Sequence, residues 1–280
     1  MIVYTTEKEL QKHLLPLRKE GRILGMVPTM GALHEGHLSL VRRCISETDL
    51  CVVSIFVNPT QFNEASDLSA YPRTPEEDLA LLESEGVDVV FMPLASEIYP
   101  EPDTRVFEFD GLDRVMEGEQ RPGHFNGVAQ VVSILFRMAI PHRAYFGQKD
   151  FQQLAIIRQM VVILKLDIEI IACPIIREDD GLAMSSRNRR LTPEERKAAP
   201  LIYKCLQEAL DMQAEFSPEE ITKRIEIRFG EQDMLQLEYF QIVQSRTLQE
   251  VSHWKEGLQY TGCIAVRLGT VRLIDNVNFA

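Results

Sequence analysis

No apolar run approaches the ~20 residues needed to cross a bilayer, and Met1 to Leu10 is polar, without the apolar core of a secretory signal. The five cysteines form no Cys-x-x-Cys pair. An odd, unspaced set is expected as reduced thiols of a soluble cytoplasmic protein. Cys44, Cys51, Cys173 and Cys263 stand within apolar runs and read as small core residues. Positive charge is in deficit: 30 Lys and Arg against 42 Asp and Glu leave a formal charge of −12. That balance argues against nucleic acid or an anionic membrane surface as the main partner. Three signatures are also missing: the Gly-x-Gly-x-x-Gly dinucleotide fingerprint, the P-loop, and the His-Glu-x-x-His zinc pair. There are no repeats and no low-complexity linker.

What is present is a 280-residue chain with 45% apolar residues, enough for one large or two modest domains. Strands are expected at 22–27, 50–57, 87–92, 143–146 and 168–173. Helical periodicity lies between them, at 8–20, from 38 onward, at 74–85, 128–140 and 150–164. This alternation predicts an α/β, Rossmann-like, doubly wound parallel sheet. A short extra strand is expected at 105–109, and 118–127 reads as a glycine-rich loop. Ile175 to Gly181 resembles a hinge into a smaller α+β C-terminal domain. There, helices at 192–216 and 217–229 are followed by strands at 235–243, 262–268 and 270–274. The expected division is 1–176 for the larger domain and 177–280 for the smaller. Thr74, Thr192 and Ser217 each open a capping-box pattern with Pro at the first helical position.

The organising stretch is Gly25 to Val41, which reads as strand, Gly-containing turn and helix. His34 and His37 lie three apart, so both imidazoles fall on one face of the first turn. A helix N-terminus favours anions, and Gly31 and Gly36 allow close approach of a ligand. Together these features suggest a polyphosphate site. A surface or core His pair, or a zinc site needing further ligands, is the alternative.

Other candidates lie at strand carboxyl ends, where open α/β sheets bind ligands. Asn58 and Gln61 follow the second strand, and their amides suit hydroxyls and carboxylates. Lys149 stands at a helix start, against the dipole. Ser185, Ser186 and Arg187 form a compact set of phosphate donors. Basic residues gather around these motifs: Arg121, Arg143, Lys149, Arg177, Arg187, Arg189 and Arg190.

Val27-Pro28-Thr29-Met30-Gly31-Ala32-Leu33-His34-Glu35-Gly36-His37 resembles the nucleotide-binding signature of pantothenate synthetases, relatives of the HIGH-motif nucleotidylyltransferases. Further stretches resemble that family in order and spacing: 56–62, 71–74, Arg121-Pro122-Gly123-His124-Phe125, 146–153, 180–188 and Arg272-Leu273-Ile274-Asp275-Asn276. The resemblance covers nearly the whole chain. Gln148, Asn126 and Gln130 depart from the residues more usual in the family.

The resemblance implies condensation of pantoate with β-alanine at the expense of ATP, through an acyl adenylate, yielding pantothenate, AMP and pyrophosphate. It implies Mg2+, a homodimer and a smaller C-terminal domain; the phosphate donors split across the hinge suggest that this domain acts as a lid over ATP. His37 is implied as proton donor, with His34, Lys149, Ser185, Ser186 and Arg187 completing the catalytic set. The implied ATP site comprises Met30, Gly31, Ala32, Leu33, His34, Glu35, Gly36, His37, Gly147, Gln148, Lys149, Asp150, Ile176, Met184, Ser185, Ser186 and Arg187. Gln61 and Gln153 are implied for pantoate, alongside Asn58 from its strand-end position; Gln61 is also implied beside β-alanine. The competing readings are a nucleotidyltransferase and a non-catalytic ATP-binding module.

Overall fold

Unbroken apolar runs without polar alternation become parallel strands buried on both faces. Leu50 to Ser54 is such a run, and all five residues are buried. In the computed structural model, which describes residues 1–63 and 65–279, six strands form one sheet. They are β1 Ile2–Tyr4, β2 Leu24–Thr29, β3 Leu50–Ile55, β4 Val89–Phe91, β5 Arg143–Gly147 and β6 Glu169–Cys173. Their order is β1-β4-β3-β2-β5-β6, and every pair is parallel. Alternate residues point to opposite faces. Met26 and Val52 therefore pack with Leu10, Phe136 and Ile157 on one side. Val27 and Val53 pack with Leu33, Val41 and Tyr145 on the other.

The chain steps outward from β2 to β3 and β4, then returns to β5 on the far side of β2. Strand order thus reverses between β2 and β5. The carboxyl ends at such a reversal are where open α/β sheets bind ligands.

The C-terminal part contains an antiparallel sheet, β7 Leu235–Gln244, β8 Tyr260–Leu268 and β9 Val271–Phe279, in the order β7-β8-β9. Helices Leu201–Asp211 and Pro218–Gly230 pack on it through Ile202, Leu206, Ile221, Ile225 and Phe229.

Two compact units result. One comprises 1–113, 118–148 and 153–174; the other comprises 114–117, 149–152 and 175–280. Two short segments thus leave the first unit and join the second, and Lys149 lies in one of them.

Several local expectations are corrected. Residues 105–109 form no strand. Their backbone groups are taken by side chains of helix His124–Ala139: Asn126 Oδ1 accepts from the Phe107 N–H, while Asn126 Nδ2 and Gln130 Nε2 donate to the Arg105 carbonyl. Two of the three departures from the family pattern, Asn126 and Gln130, thus serve as surrogate strand partners. That helix starts at His124, inside the expected loop. The long helix from 192 is broken into Pro193–Ala198 and Leu201–Asp211 around Pro200. Thr192 and Ser217 form full capping boxes; Thr74 does not, because its hydroxyl donates to Asp78 instead. The first strand, β1, lies in a segment read as polar. All five cysteines are free and buried. No helix of the described residues is long and apolar enough to cross a membrane.

Candidate active site

In the first unit the site begins where β2 ends. Gly31 takes a positive φ of 78°, and a Cβ there would lie 2.8 Å from Asp78 Oδ2. Ala32 follows at φ 49°, a region costly for a residue with a side chain. Asp78, 1% exposed, holds this turn: its two oxygens accept the N–H groups of Ala32 (2.9 Å) and Leu33 (2.8 Å). Thr74 Oγ1 donates to the same carboxylate at 3.2 Å. The side chains of Ala32 and Leu33 are buried in the core, and their amide donors point to Asp78.

His34 caps helix Glu35–Glu47: the Gly36 N–H donates to its Nδ1 at 3.1 Å. A neutral His34 therefore carries its proton on Nε2. The His34 and His37 rings lie 4.1 Å apart, centroid to centroid, tilted by 42°. The helix dipole adds a positive end at this pair. Glu35 turns away to an ion pair with Arg42.

After β3, Asn58 is almost wholly enclosed. Its Oδ1 accepts from Tyr99 (2.9 Å) and Thr60 (3.1 Å), while its Nδ2 donates to Gln61 Oε1 and to the Gly127 carbonyl, both at 3.2 Å. Asn58 thus stands behind Gln61 and orients that amide. Gln61 Nε2 donates to Met30 Sδ at 2.9 Å, which links the β3 loop to the β2 turn. The Gln61 carbonyl accepts from His124 Nδ1 (2.7 Å) and Arg121 Nη2 (3.2 Å). Close approach of the helix requires a glycine: a Cβ on Gly127 would meet the Thr60 carbonyl oxygen at 2.6 Å. Gly147 is the last residue of β5, next to β2 in the sheet, and Gln148 follows it directly. Gln153 is half-buried in helix Phe151–Ile163.

In the second unit, Lys149 Nζ lies 3.3 Å from Asp150 Oδ1. Residues 176–184 form a small hairpin, with an antiparallel bridge between Arg177 and Ala183 and a bond from the Met184 N–H to the Ile176 carbonyl (3.0 Å). The hairpin delivers Met184 to Ser185, whose hydroxyl caps the turn Ser186–Arg190 by accepting the Arg187 N–H at 3.3 Å. Ser186 is buried. This short turn carries Arg187, Arg189 and Arg190.

Two of the basic residues have other work. Arg143 sits at the amino end of β5, opposite the ligand edge, and pairs with Glu169 at 2.9 Å. Arg177 forms a two-pronged pair with the buried Asp275 (2.5 and 3.0 Å). Among the described residues no group of three or more His, Cys, Asp or Glu side chains is arranged to hold a metal ion.

A family model for pantoate-beta-alanine ligase matches residues 2–278. The chain belongs to that family. It is 52% identical over 279 residues to a pantothenate synthetase of Porphyromonas gingivalis, covering 100% of this chain and 99% of that one. A crystal structure of pantothenate synthetase from Thermus thermophilus superposes with a TM-score of 0.92 at 43% identity, covering 99% of both chains. Pantoate-beta-alanine ligase from Francisella tularensis, complexed with beta-gamma ATP and beta-alanine, has a TM-score of 0.83 at 36% identity. It covers 99% of this chain and 97% of that one.

Sequence reasoning missed residues that hold the site rather than face a ligand. Asp78 reads from sequence as one more acid in a helix's first turn. Its burial, the mark of its role, is a tertiary property. Asp275 and Asn276 lie in the last motif stretch, 272–276, which carries no chemistry legible on its own.

Proposed function

We propose that the protein is an ATP-dependent pantoate–β-alanine ligase that releases pantothenate, AMP and pyrophosphate. The observation that carries this reading is the turn after β2, with two adjacent imidazoles at a helix N-terminus, in a chain that matches the ligase family over its length. In the first step a pantoate carboxylate oxygen attacks the α-phosphorus of ATP and pyrophosphate leaves. In the second, the β-alanine amine attacks the acyl carbon, the C–N bond forms, and AMP departs. Such chemistry is mainly positioning and charge stabilisation.

His37 serves as proton donor, and His34 supplies a second imidazole donor. Lys149 and Arg187 neutralise the phosphates as charge shifts to pyrophosphate, and Ser185 and Ser186 donate hydrogen bonds to them. Met30 to His37, Gly147 to Asp150, Ile176 and Met184 bind the rest of ATP. Gln61 and Gln153 hold pantoate, Gln61 also meets β-alanine, and Asn58 acts through Gln61. Mg2+, bound with ATP, would offset negative charge on the phosphates and on the departing pyrophosphate. We assign the protein to the cytoplasm as a homodimer.

AMP formation requiring both pantoate and β-alanine is the test. A nucleotidyltransferase releases pyrophosphate without AMP, and a binding module releases neither. With pantoate and Mg2+ but no β-alanine, labelled pyrophosphate should exchange into ATP. Carboxylate oxygen-18 from pantoate should reach AMP after full turnover. Absence of both signals in an enzyme that makes pantothenate would exclude the acyl adenylate.

A further inference from the structure

Among the described residues, strand β9 is an edge strand paired only with β8. It carries Arg272-Leu273-Ile274-Asp275-Asn276, a stretch without a place in the proposed chemistry. Each polar residue of that stretch reaches a different, distant segment of the second unit. Arg272 donates to Glu117 through both Nη atoms (2.6 and 2.7 Å), and Tyr239 donates to the same carboxylate at 2.7 Å. Asp275 receives Arg177 at the base of the 176–184 hairpin. Asn276 Nδ2 donates to the backbone carbonyl of Lys149 at 3.0 Å. Asp275 and Asn276 are 4% and 5% exposed, and the Asn276 N–H donates to Asp275 Oδ1 at 2.8 Å. The other end of the Lys149 segment is tied down as well. Gln152 accepts the Glu117 N–H at 3.0 Å and donates to the Val115 carbonyl at 2.8 Å.

We infer that Asn276 is a positioning residue of the reaction: it fixes the backbone from which Lys149 projects, on the same strand where Asp275 fixes the hairpin bearing Ser185 to Arg187. The inference rests on the ligase reading, in which Lys149 meets the phosphates. The carbonyl anchor fixes the backbone share of the ammonium's placement, leaving only the four rotatable bonds of the lysine side chain to be set by its surroundings. The Lys149 ammonium also acts on Asp275 electrostatically, drawing its carboxyl towards ionisation against the effect of burial. One short stretch of strand therefore sets two phosphate-handling segments.

The test is a double-mutant cycle on pantoate-dependent ATP–pyrophosphate exchange in the full-length protein, with Lys149→Ala, Asn276→Ala and the double variant. Asn276→Ala should lower the exchange rate about tenfold, below the hundredfold that a 1 Å misplacement can cost. Its KM for pantoate should stay unchanged. Loss of one hydrogen bond should lower the melting temperature only by roughly 2–4 °C. In the Lys149→Ala background, Asn276→Ala should cost nothing more, because its effect passes through Lys149. Equal, multiplicative losses in both backgrounds would overturn the inference. Near-normal exchange by Lys149→Ala alone would instead remove Lys149 from the ligase reading and leave Asn276 nothing to position. The near-isosteric, uncharged Asn276→Leu keeps the volume but loses the donor, and should reproduce the alanine result. If neither variant folds, Asn276 is an element of the fold and the positioning role falls.

Discussion

In the turn after β2, a buried carboxylate accepts two neutral backbone N–H groups. In the 176–184 hairpin, another buried carboxylate accepts a guanidinium, which also stacks on Tyr203 with its central carbon 3.7 Å from the ring centroid. Both segments carry residues assigned to phosphate, and both are held by an acid distant in sequence. The physics differs. Asp78 is paired with dipoles that fold away from water with it. Asp275 faces a full charge, and burial still pushes its carboxyl above the usual range although Arg177 and the Asn276 N–H pull it down. An anchor of dipoles is set by the turn's own conformation, whereas an ion-pair anchor depends on both partners being present.

Removing one partner of the ion pair should therefore produce the largest effect. Asp275→Ala should destabilise the second unit by about 3–5 kcal/mol, because it strands the Arg177 charge. Denaturant unfolding measures it. The double variant Asp275→Leu with Arg177→Met should recover most of that loss; equal instability of single and double variants would erase the contrast between the two anchors.

Next in size is His37→Ala. It should lower pyrophosphate exchange about a hundredfold, near 3 kcal/mol of transition-state stabilisation, with an unchanged melting temperature. The ring is half-buried beside His34 rather than in an apolar cluster, so little packing is lost. Near-normal turnover would remove His37 from the catalytic set.

Asp78→Asn keeps the shape but turns one acceptor into a donor facing an N–H. We expect a stability loss of about 2 kcal/mol, together with a fall in exchange as the Ala32 turn relaxes. A stability loss with unchanged exchange would show that Asp78 supports the core without placing the histidines.

The smallest effect concerns His142, whose Nδ1 accepts the Leu24 N–H at the start of β2 (3.0 Å). Burial, helped by Arg18, holds this imidazole below its ordinary value of 6.5. The unfolded chain therefore binds the proton first, and stability present above pH 6.5 is lost as pH falls through and below that value. The loss should be the smallest of these effects, and His142→Gln should flatten the dependence in denaturant titrations.

Strand and helix alternation was legible from residues 22 to 173, because parallel strands buried on both faces need unbroken apolar runs and their crossovers need helical periodicity. The His34–His37 spacing and the turn before it were legible for the same local reason. So were the caps at Thr192 and Ser217, whose partners lie within one turn. Asn58 was legible as a strand-end amide, but its place behind Gln61 was not. Nothing at Asn58 itself announces Tyr99 or Gly127. The 105–109 segment has strand composition, yet helix side chains satisfied its backbone, so no partner strand formed. Lys149 stands next to a strand of the first sheet in sequence, while its contacts group it with the second unit. What the sequence alone determined was therefore whatever depends on neighbours within a turn or two: periodicity, caps and motif spacing. Only the tertiary structure decided which buried acid holds which loop, because burial and pairing between residues 46 and 98 apart are settled by how the whole chain closes on itself.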